Sequence, residues 1–256
     1  MLLPWNRPQS TDEFDPKQSL VSLYNPKSAA SEAYRMLRTN IHFSTVGGTV
    51  KILEVTSALP GEGKSLTAAN LAITFAQAGD TVILIDADMR RPTVHKKFEM
   101  PASPGLSECI VTGNVDASIR KGPVEGLSVI AAGAIPPNPS ELLHSRQMDQ
   151  LLEQLKLRAN LVIIDAPPVL AVADATVLAS KSDGVIMVVN LAESDRNAAK
   201  RAADALRAVN ATVLGAVITG IKPPRGRYRQ HYSDRYYCYY DSHYGDGEPD
   251  EKESKQ

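Results

Sequence analysis

The 256-residue chain is long enough for one large α/β domain with tails, and its 43% hydrophobic content supports a sizeable core. A net charge of −1 gives no reason to expect nucleic-acid binding, and two cysteines (Cys109 and Cys238) without metal spacing or a CxxC pair suit a reduced cytosol and exclude a disulfide scaffold. No apolar run approaches the roughly 18 residues that cross a bilayer, and the opening MLLPWNRPQS lacks the charged-then-apolar pattern of a secretion signal.

Residues 1–27 carry four prolines and little periodicity. They are expected to form an extended N-terminal arm, with 20–24 as the piece able to dock on the body. Residues 28–44 read as a helix: Ser28 or Ser31 can cap it, Glu32 lies in its first turn, and Tyr34, Leu37 and Ile41 form an apolar stripe. Glu32, Arg35 and Arg38 recur along one side of that helix, and Gly47-Gly48 ends the segment.

The stretch 50–65, VKILEVTSALPGEGKS, runs from an apolar strand into a glycine loop, and a helical pattern over 65–78 follows at once. Such a loop wraps phosphates with its own amide N–H groups, and glycine is needed where a Cβ would block the wrap. Pro60, Gly61, Glu62, Gly63, Lys64, Ser65 and Leu66 are therefore the expected nucleotide-binding residues. Lys64 would reach the β- and γ-phosphates and the Ser65 hydroxyl would hold Mg²⁺. Ala58 stands at the first motif position, where glycine is usual.

A buried strand over 81–85 ends in Asp86-Ala87-Asp88-Met89-Arg90-Arg91-Pro92. Residues 93–126 are mixed, with a short helix near 106–111, and 127–131 is a short strand. Residues 136–140 form a rigid proline turn, with Ser140 able to cap the helix after it. A helix over 146–157 follows, then the apolar strand 161–164, ending in Asp165-Ala166-Pro167-Pro168. A helix near 173–180, a strand over 184–190, an amphipathic helix over 195–209 and a last strand over 213–220 complete the pattern. Apolar strands alternating with helices predict an α/β fold of the P-loop NTPase type, a mainly parallel sheet with helices on both faces. Ligands in such sheets sit at the carboxyl ends of strands, where Lys64, Asp86, Asp88 and Asp165 should converge.

Asp165 fits an acid after an apolar strand that holds Mg²⁺ directly or through water. Asp86 and Asp88, two apart at a strand end, point to the same side. One can support the metal while the other faces an incoming hydroxyl; Asp86 is the expected base and Asp88 the expected metal support, with the reverse left open. Arg90 and Arg91 suit either phosphate charge or plain surface.

After Lys222 the pattern changes. Residues 223–227 are a linker, and 223–256 a flexible tyrosine-rich tail. Tyr228, Tyr232, Tyr236, Tyr237, Tyr239, Tyr240 and Tyr244 account for seven of the nine tyrosines, followed by a charged end over 246–256. The strip reads either as an aromatic partner-binding segment or as a phosphoacceptor cluster. In the second case a nearby Asp takes the proton of a phenol whose pKa is about 10. Each phosphate would add about −1.5 to −2 charge to a strip that starts basic at Arg225, Arg227, Arg229 and Arg235.

The combination of TSALPGEGKS, ILIDADMRRP, LVIIDAPP, the SEAYRMLRTN helix and the tyrosine cluster resembles bacterial tyrosine kinases of capsule and exopolysaccharide synthesis (BY-kinases), from about 28 to 220 plus the tail. The resemblance makes Asp86 and Asp88 a Walker A′ element and Asp165 a Walker B, around a kinase domain over 28–222. It makes Glu32, Arg35 and Arg38 an ExxRxxR element that builds ring-like homo-oligomers. It implies autophosphorylation of the tail in trans with ATP and Mg²⁺, regulation of capsular or exopolysaccharide synthesis and export, and a cognate tyrosine phosphatase. Without a spanning segment the chain looks like the split form of the family. It would then be cytoplasmic, held at the inner face of the plasma membrane by a transmembrane polysaccharide co-polymerase that activates it. Ala58, and Leu66 where the family often has Thr, are the local departures. The rival readings are a deviant-Walker ATPase, which usually carries an early loop lysine that Ala58–Glu62 lacks, and a nucleotide-gated scaffold without kinase activity.

Overall fold

The computed structural model of the chain describes residues 19–44 and 49–221. Gly47-Gly48, most of the N-terminal arm, the 223–227 linker, the tyrosine cluster and Cys238 lie outside the described residues. The elements run α1 (Val21–Tyr24), α2 (Ala29–Phe43), β1 (Ile52–Ser57), α3 (Lys64–Gln77), β2 (Val82–Asp86), α4 (Val94–Lys97), α5 (Leu106–Thr112) and α6 (Val115–Ser118). They continue with β3 (Ile119–Lys121), β4 (Leu127–Ile130), α7 (Pro139–His144), α8 (Arg146–Arg158), β5 (Leu161–Asp165), α9 (Asp174–Ala179), β6 (Gly184–Asn190), α10 (Arg196–Ala208) and β7 (Val213–Thr219).

Seven strands form one sheet in the order β3-β4-β2-β5-β1-β6-β7, parallel throughout except where β3 pairs antiparallel with β4. The central strands β1, β2 and β5 are buried along their whole length because helices cover both faces. Two apolar clusters result. One joins Ile52, Ile83 and Ile164 to α5, α8, α9 and α10. The other joins Leu53, Val55, Leu84 and Ile163 to α3 and to Leu20 and Ile41.

α3 is buried nearly all round, since the sheet lies on one side and α1 and α2 on the other. Its Asn70 and Gln77 satisfy backbone of the docking segment that would otherwise be buried without partners, and Thr74 Oγ1 donates to Ser22 Oγ at 3.2 Å. Asn70 Oδ1 accepts from Ser22 N at 2.9 Å, Asn70 Nδ2 donates to Ser19 O at 3.0 Å, and Gln77 Nε2 donates to Ser22 O at 2.9 Å. The segment around Leu20 thus docks on the body as a short helical turn within what the sequence suggests is an extended arm. α2 begins as expected, with Ser28 Oγ accepting from Ser31 N at 3.2 Å.

One capping expectation is corrected. Asn138 is the N-cap of α7 with Pro139 at its first position, and Ser145 caps α8 by accepting from Met148 N at 3.2 Å. Ser140 lies inside α7 and bonds elsewhere.

Candidate active site

The nucleotide loop is shaped by two residues with left-handed backbone, Gly61 (φ +87°) and Gly63 (φ +93°), where an L side chain would be strained. Gly63 leads straight into α3, so the first free amides of that helix face the same space as the loop amides. Ala58, at 0% exposure, fits its tight position; a small residue is what that position requires.

Strand register brings the carboxylates together. Asp165 ends β5 and lies opposite Asp86, the last residue of β2, while Val55 of β1 flanks it on the other side. Lys64 Nζ reaches across the strand ends to Asp88 Oδ2 at 2.9 Å and to Asp165 Oδ1 at 3.5 Å, and lies 3.2 Å from Ser65 Oγ. Lys64, Ser65, Asp86, Asp88 and Asp165 therefore form one buried cluster. Burial alone would pull the Lys64 ammonium down; the charges of Asp165 and Asp88 outweigh it and hold it above its ordinary value. Asp165 is raised, by burial first, against the pull of Lys64.

Asp86 and Asp88 are held differently. Both Asp86 oxygens accept from backbone: Oδ1 from Asp88 N at 3.2 Å, and Oδ2 from Thr93 N and Val94 N at 3.0 Å each. Asp86 thereby fixes the turn that carries Asp88. Burial and then the Asp165 charge push it up to about 8, against the Val94 hydrogen bond and the Lys64 charge. Asp88 faces Lys64 and also accepts from Arg91 N at 3.0 Å.

Other candidates take other places. Arg90 is a fastener: Nε donates to Asp174 Oδ2 and Nη2 to Ser140 Oγ, each at 3.1 Å, with Asp174 only 1% exposed. This ties the Asp88 turn to α7 and α9. Arg91 is exposed. Pro60 and Gly61 are exposed at the loop crown, whereas Glu62 turns inward. Glu32, Arg35 and Arg38 lie away from the cluster on α2. Arg35 pairs with Glu32 and donates to Pro26 O at 2.5 Å, and Arg38 Nη1 donates to Thr74 O of α3 at 3.0 Å.

Lys97 is a neighbour of the cluster that the sequence did not single out. It is half-buried on α4, feels the charges of Asp165, Lys64 and Asp86, and is lowered by burial.

A magnesium ion with a nucleotide fits these residues. Asp165 Oδ2 is buried with no hydrogen bond of good geometry, the Ser65 hydroxyl acts on the same carboxylate, and the two left-handed glycines leave the phosphate cradle open. Among the described residues no three His, Cys, Asp or Glu side chains form a group that could hold a metal ion by themselves.

A family profile described as ParA: NUBPL iron-transfer P-loop NTPase matches residues 48–220. The tyrosine-protein kinase YwqD of Bacillus subtilis is 41% identical over 80% of this chain and 87% of its own length. The putative tyrosine-protein kinase CapB of Staphylococcus aureus is 37% identical over 88% and 97%. The putative tyrosine-protein kinase EpsB of Ralstonia solanacearum is 36% identical, but this chain spans only 32% of it. Among solved structures, the chimerical protein CapA2B2 superposes with a TM-score of 0.77 at 39% identity, covering 80% of this chain and 90% of that one. The kinase domain of Escherichia coli ETK gives 0.77 at 34%, over 82% and 83%. The septum site-determining protein MinD of Pyrococcus horikoshii, solved with Mg-ADP, shares the fold at 18% identity and a TM-score of 0.57, over 66% of this chain and 69% of that one. A P-loop sheet with a lysine set between two strand-end carboxylates, and relatives of this closeness over nearly their full length, place the chain in the bacterial tyrosine-protein kinases.

Proposed function

We propose that the chain transfers the γ-phosphoryl group of ATP to the tail tyrosines Tyr228, Tyr232, Tyr236, Tyr237, Tyr239, Tyr240 and Tyr244 of a neighbouring copy. The observation that carries this reading is Lys64 between Asp88 and Asp165, at the mouth of a loop built for phosphates. On nucleotide binding Lys64 turns from the carboxylates to the β- and γ-phosphates, and the loop amides take the remaining negative charge. Ser65, Asp88 and Asp165 would hold Mg²⁺, and the ion would supply positive charge against the phosphates. The phenol oxygen attacks the γ-phosphorus, the bond to the bridging β–γ oxygen breaks, ADP leaves, and the phenolic proton passes to an aspartate.

Asp86 is proposed as that acceptor. A second reading assigns the proton to Asp88, because both Asp86 oxygens already accept backbone N–H groups. The resemblance further supports ring-like self-association through Glu32, Arg35 and Arg38, a transmembrane polysaccharide co-polymerase as activator, a cognate phosphatase, and a place at the inner face of the membrane. Among the described residues no helix is long and apolar enough to cross a membrane.

Incubation with ATP and Mg²⁺, followed by mass spectrometry of the tail, tests the reading. Phosphotyrosine that disappears in Lys64→Met, with the fold intact by circular dichroism, is the expected result. Free phosphate without modified tyrosine assigns the chain to the ATPase reading, and neither product assigns it to the scaffold reading.

A further inference from the structure

Glu62 is a negatively charged side chain inside a loop that binds anions, where a carboxylate facing the ligand would oppose phosphate. The structure turns it the other way. Glu62 is 2% exposed, and its Oε2 accepts from Leu59 N at 2.8 Å across the loop. Its Oε1 accepts from the Ser194 hydroxyl in the turn between β6 and α10. Ser194 Oγ in turn accepts from Asn190 N at 3.0 Å. The Glu62 carbonyl accepts from Thr219 Oγ1 at the end of β7 at 2.9 Å, and Thr219 O accepts from Leu191 N at 3.0 Å. These bonds close a ring through the nucleotide loop, the β6–α10 turn and the last strand. The ring is tight: at Gly220 (φ +70°) a Cβ would come within 1.8 Å of Asn190 Oδ1. Two residues beyond Thr219 the described chain ends, and the tyrosine segment begins at Tyr228.

We infer that Glu62 is a positioning residue that fastens the phosphate loop to the root of the tyrosine tail, so that nucleotide occupancy and the order of that root are coupled. The inference rests on the proposed nucleotide site. It explains why an acid sits among phosphate-binding residues: its contribution is the brace, and both its oxygens accept from Leu59 N and the Ser194 hydroxyl rather than facing the ligand. Coupling of this kind is reciprocal, so breaking the brace weakens nucleotide binding as well as loosening the root.

The test measures ADP·Mg²⁺ affinity by calorimetry, and hydrogen exchange over 219–221 with and without ADP·Mg²⁺, in the full chain. Glu62→Ala is expected to weaken ADP on the order of tenfold, from lost bonds to a charged acceptor. It should raise KM for ATP with kcat little changed, and abolish the ADP-induced slowing of exchange at 219–221. Glu62→Gln keeps a carbonyl oxygen to accept from Leu59 N and turns an NH₂ toward the Ser194 hydroxyl, which can accept it, and is expected to restore most of both. Thr219→Val, which removes the second link from the other side, should weaken ADP about threefold or more. Tighter ADP binding in both Glu62→Ala and Glu62→Gln makes charge the only effect and overturns the brace. Unchanged affinity and exchange in Thr219→Val overturn it also. If the unaltered chain binds no nucleotide, the reading of the site falls and takes the coupling with it; if it binds and Glu62→Ala matches it, the coupling alone falls.

Discussion

Glu54 stands in the middle of β1, between Ile164 of β5 and Val185 of β6, at 0% exposure and with neither carboxylate oxygen partnered. Burial holds its pKa well above the ordinary 4.5. The native state therefore keeps a proton that the unfolded chain releases above about pH 4.5, so this residue lowers stability progressively as pH rises beyond that value. Glu54→Leu fills the same space without the desolvated acid. It is expected to raise the unfolding free energy at pH 8 by about 1–3 kcal/mol, and by little at pH 4. Urea melts at the two pH values check this. Equal gains at both would mean that volume, not the carboxyl, decides. In the sequence Glu54 reads as an interruption of an apolar run; its burial follows only once helices are known to cover both faces of the strand. The carboxylates of the candidate site are the opposite case. Asp86, Asp88 and Asp165 were legible because the ends of parallel strands are where such sheets place ligands. The different settings of Asp86 and Asp88 were not, since both stand at one strand end and only the hydrogen bonds from Thr93 N and Val94 N to Asp86 tell them apart.

At the scale of elements, α5 is fastened to the loop after β4 by one side chain. Glu108 Oε2 accepts from Gly105 N at 2.8 Å and Ser107 Oγ at 3.0 Å, and Oε1 from Ser103 Oγ at 2.6 Å and Ala134 N at 3.1 Å. Burial would raise its pKa, but the bonds from Ser103, Gly105 and Ala134 win and lower it to about 2. A depressed carboxylate stabilises fully above its unfolded value near 4.5, and the contribution drains away as pH falls from there toward about 2. Glu108→Gln puts an amide NH₂ against donors. It should cost about 1 kcal/mol at pH 7 and flatten the acid side of the stability curve, as thermal melts from pH 7 to pH 3 would record. A mutant curve parallel to the original would refute the charge argument. This region was the least legible part of the fold. Its helices are short, β3 is a three-residue antiparallel edge strand, and Asn138, not Ser140, caps α7. Contacts made far along the chain decide such pieces. The long elements with complete apolar faces were readable, because burial on one or both sides dictates their pattern. The docking of α1 was readable only as an apolar hint at Leu20; the Asn70, Thr74 and Gln77 stripe that receives it looked like ordinary polar helix surface.

For the whole molecule the question is whose tail meets whose site. Six residues separate Ile221, the last described, from Tyr228, a span of up to about 25 Å when extended. Chain length therefore permits a route to the molecule's own lysine as well as to a neighbour's, and the choice falls to assembly. α2 presents Met36 at 47% and Phe43 at 75% exposure beside the Glu32–Arg35 pair, an apolar and charged face suited to a second copy. We expect transfer between molecules. A Lys64→Met chain with its tail intact, mixed with a chain ending at 222, should gain phosphotyrosine on the inactive partner's tail when ATP and Mg²⁺ are added. Neither chain labels alone, and the initial rate rises with the product of the two concentrations until assembly saturates. Ala at Glu32 and Arg35 in both chains should slow labelling and leave ADP affinity unchanged, which separates a lost interface from a damaged site. Arg38 is left out of that variant because it holds α2 to Thr74 of α3 and its loss would loosen the fold as well. An unlabelled mixture, with the unaltered chain labelling at a rate independent of its concentration, would show that each molecule modifies itself.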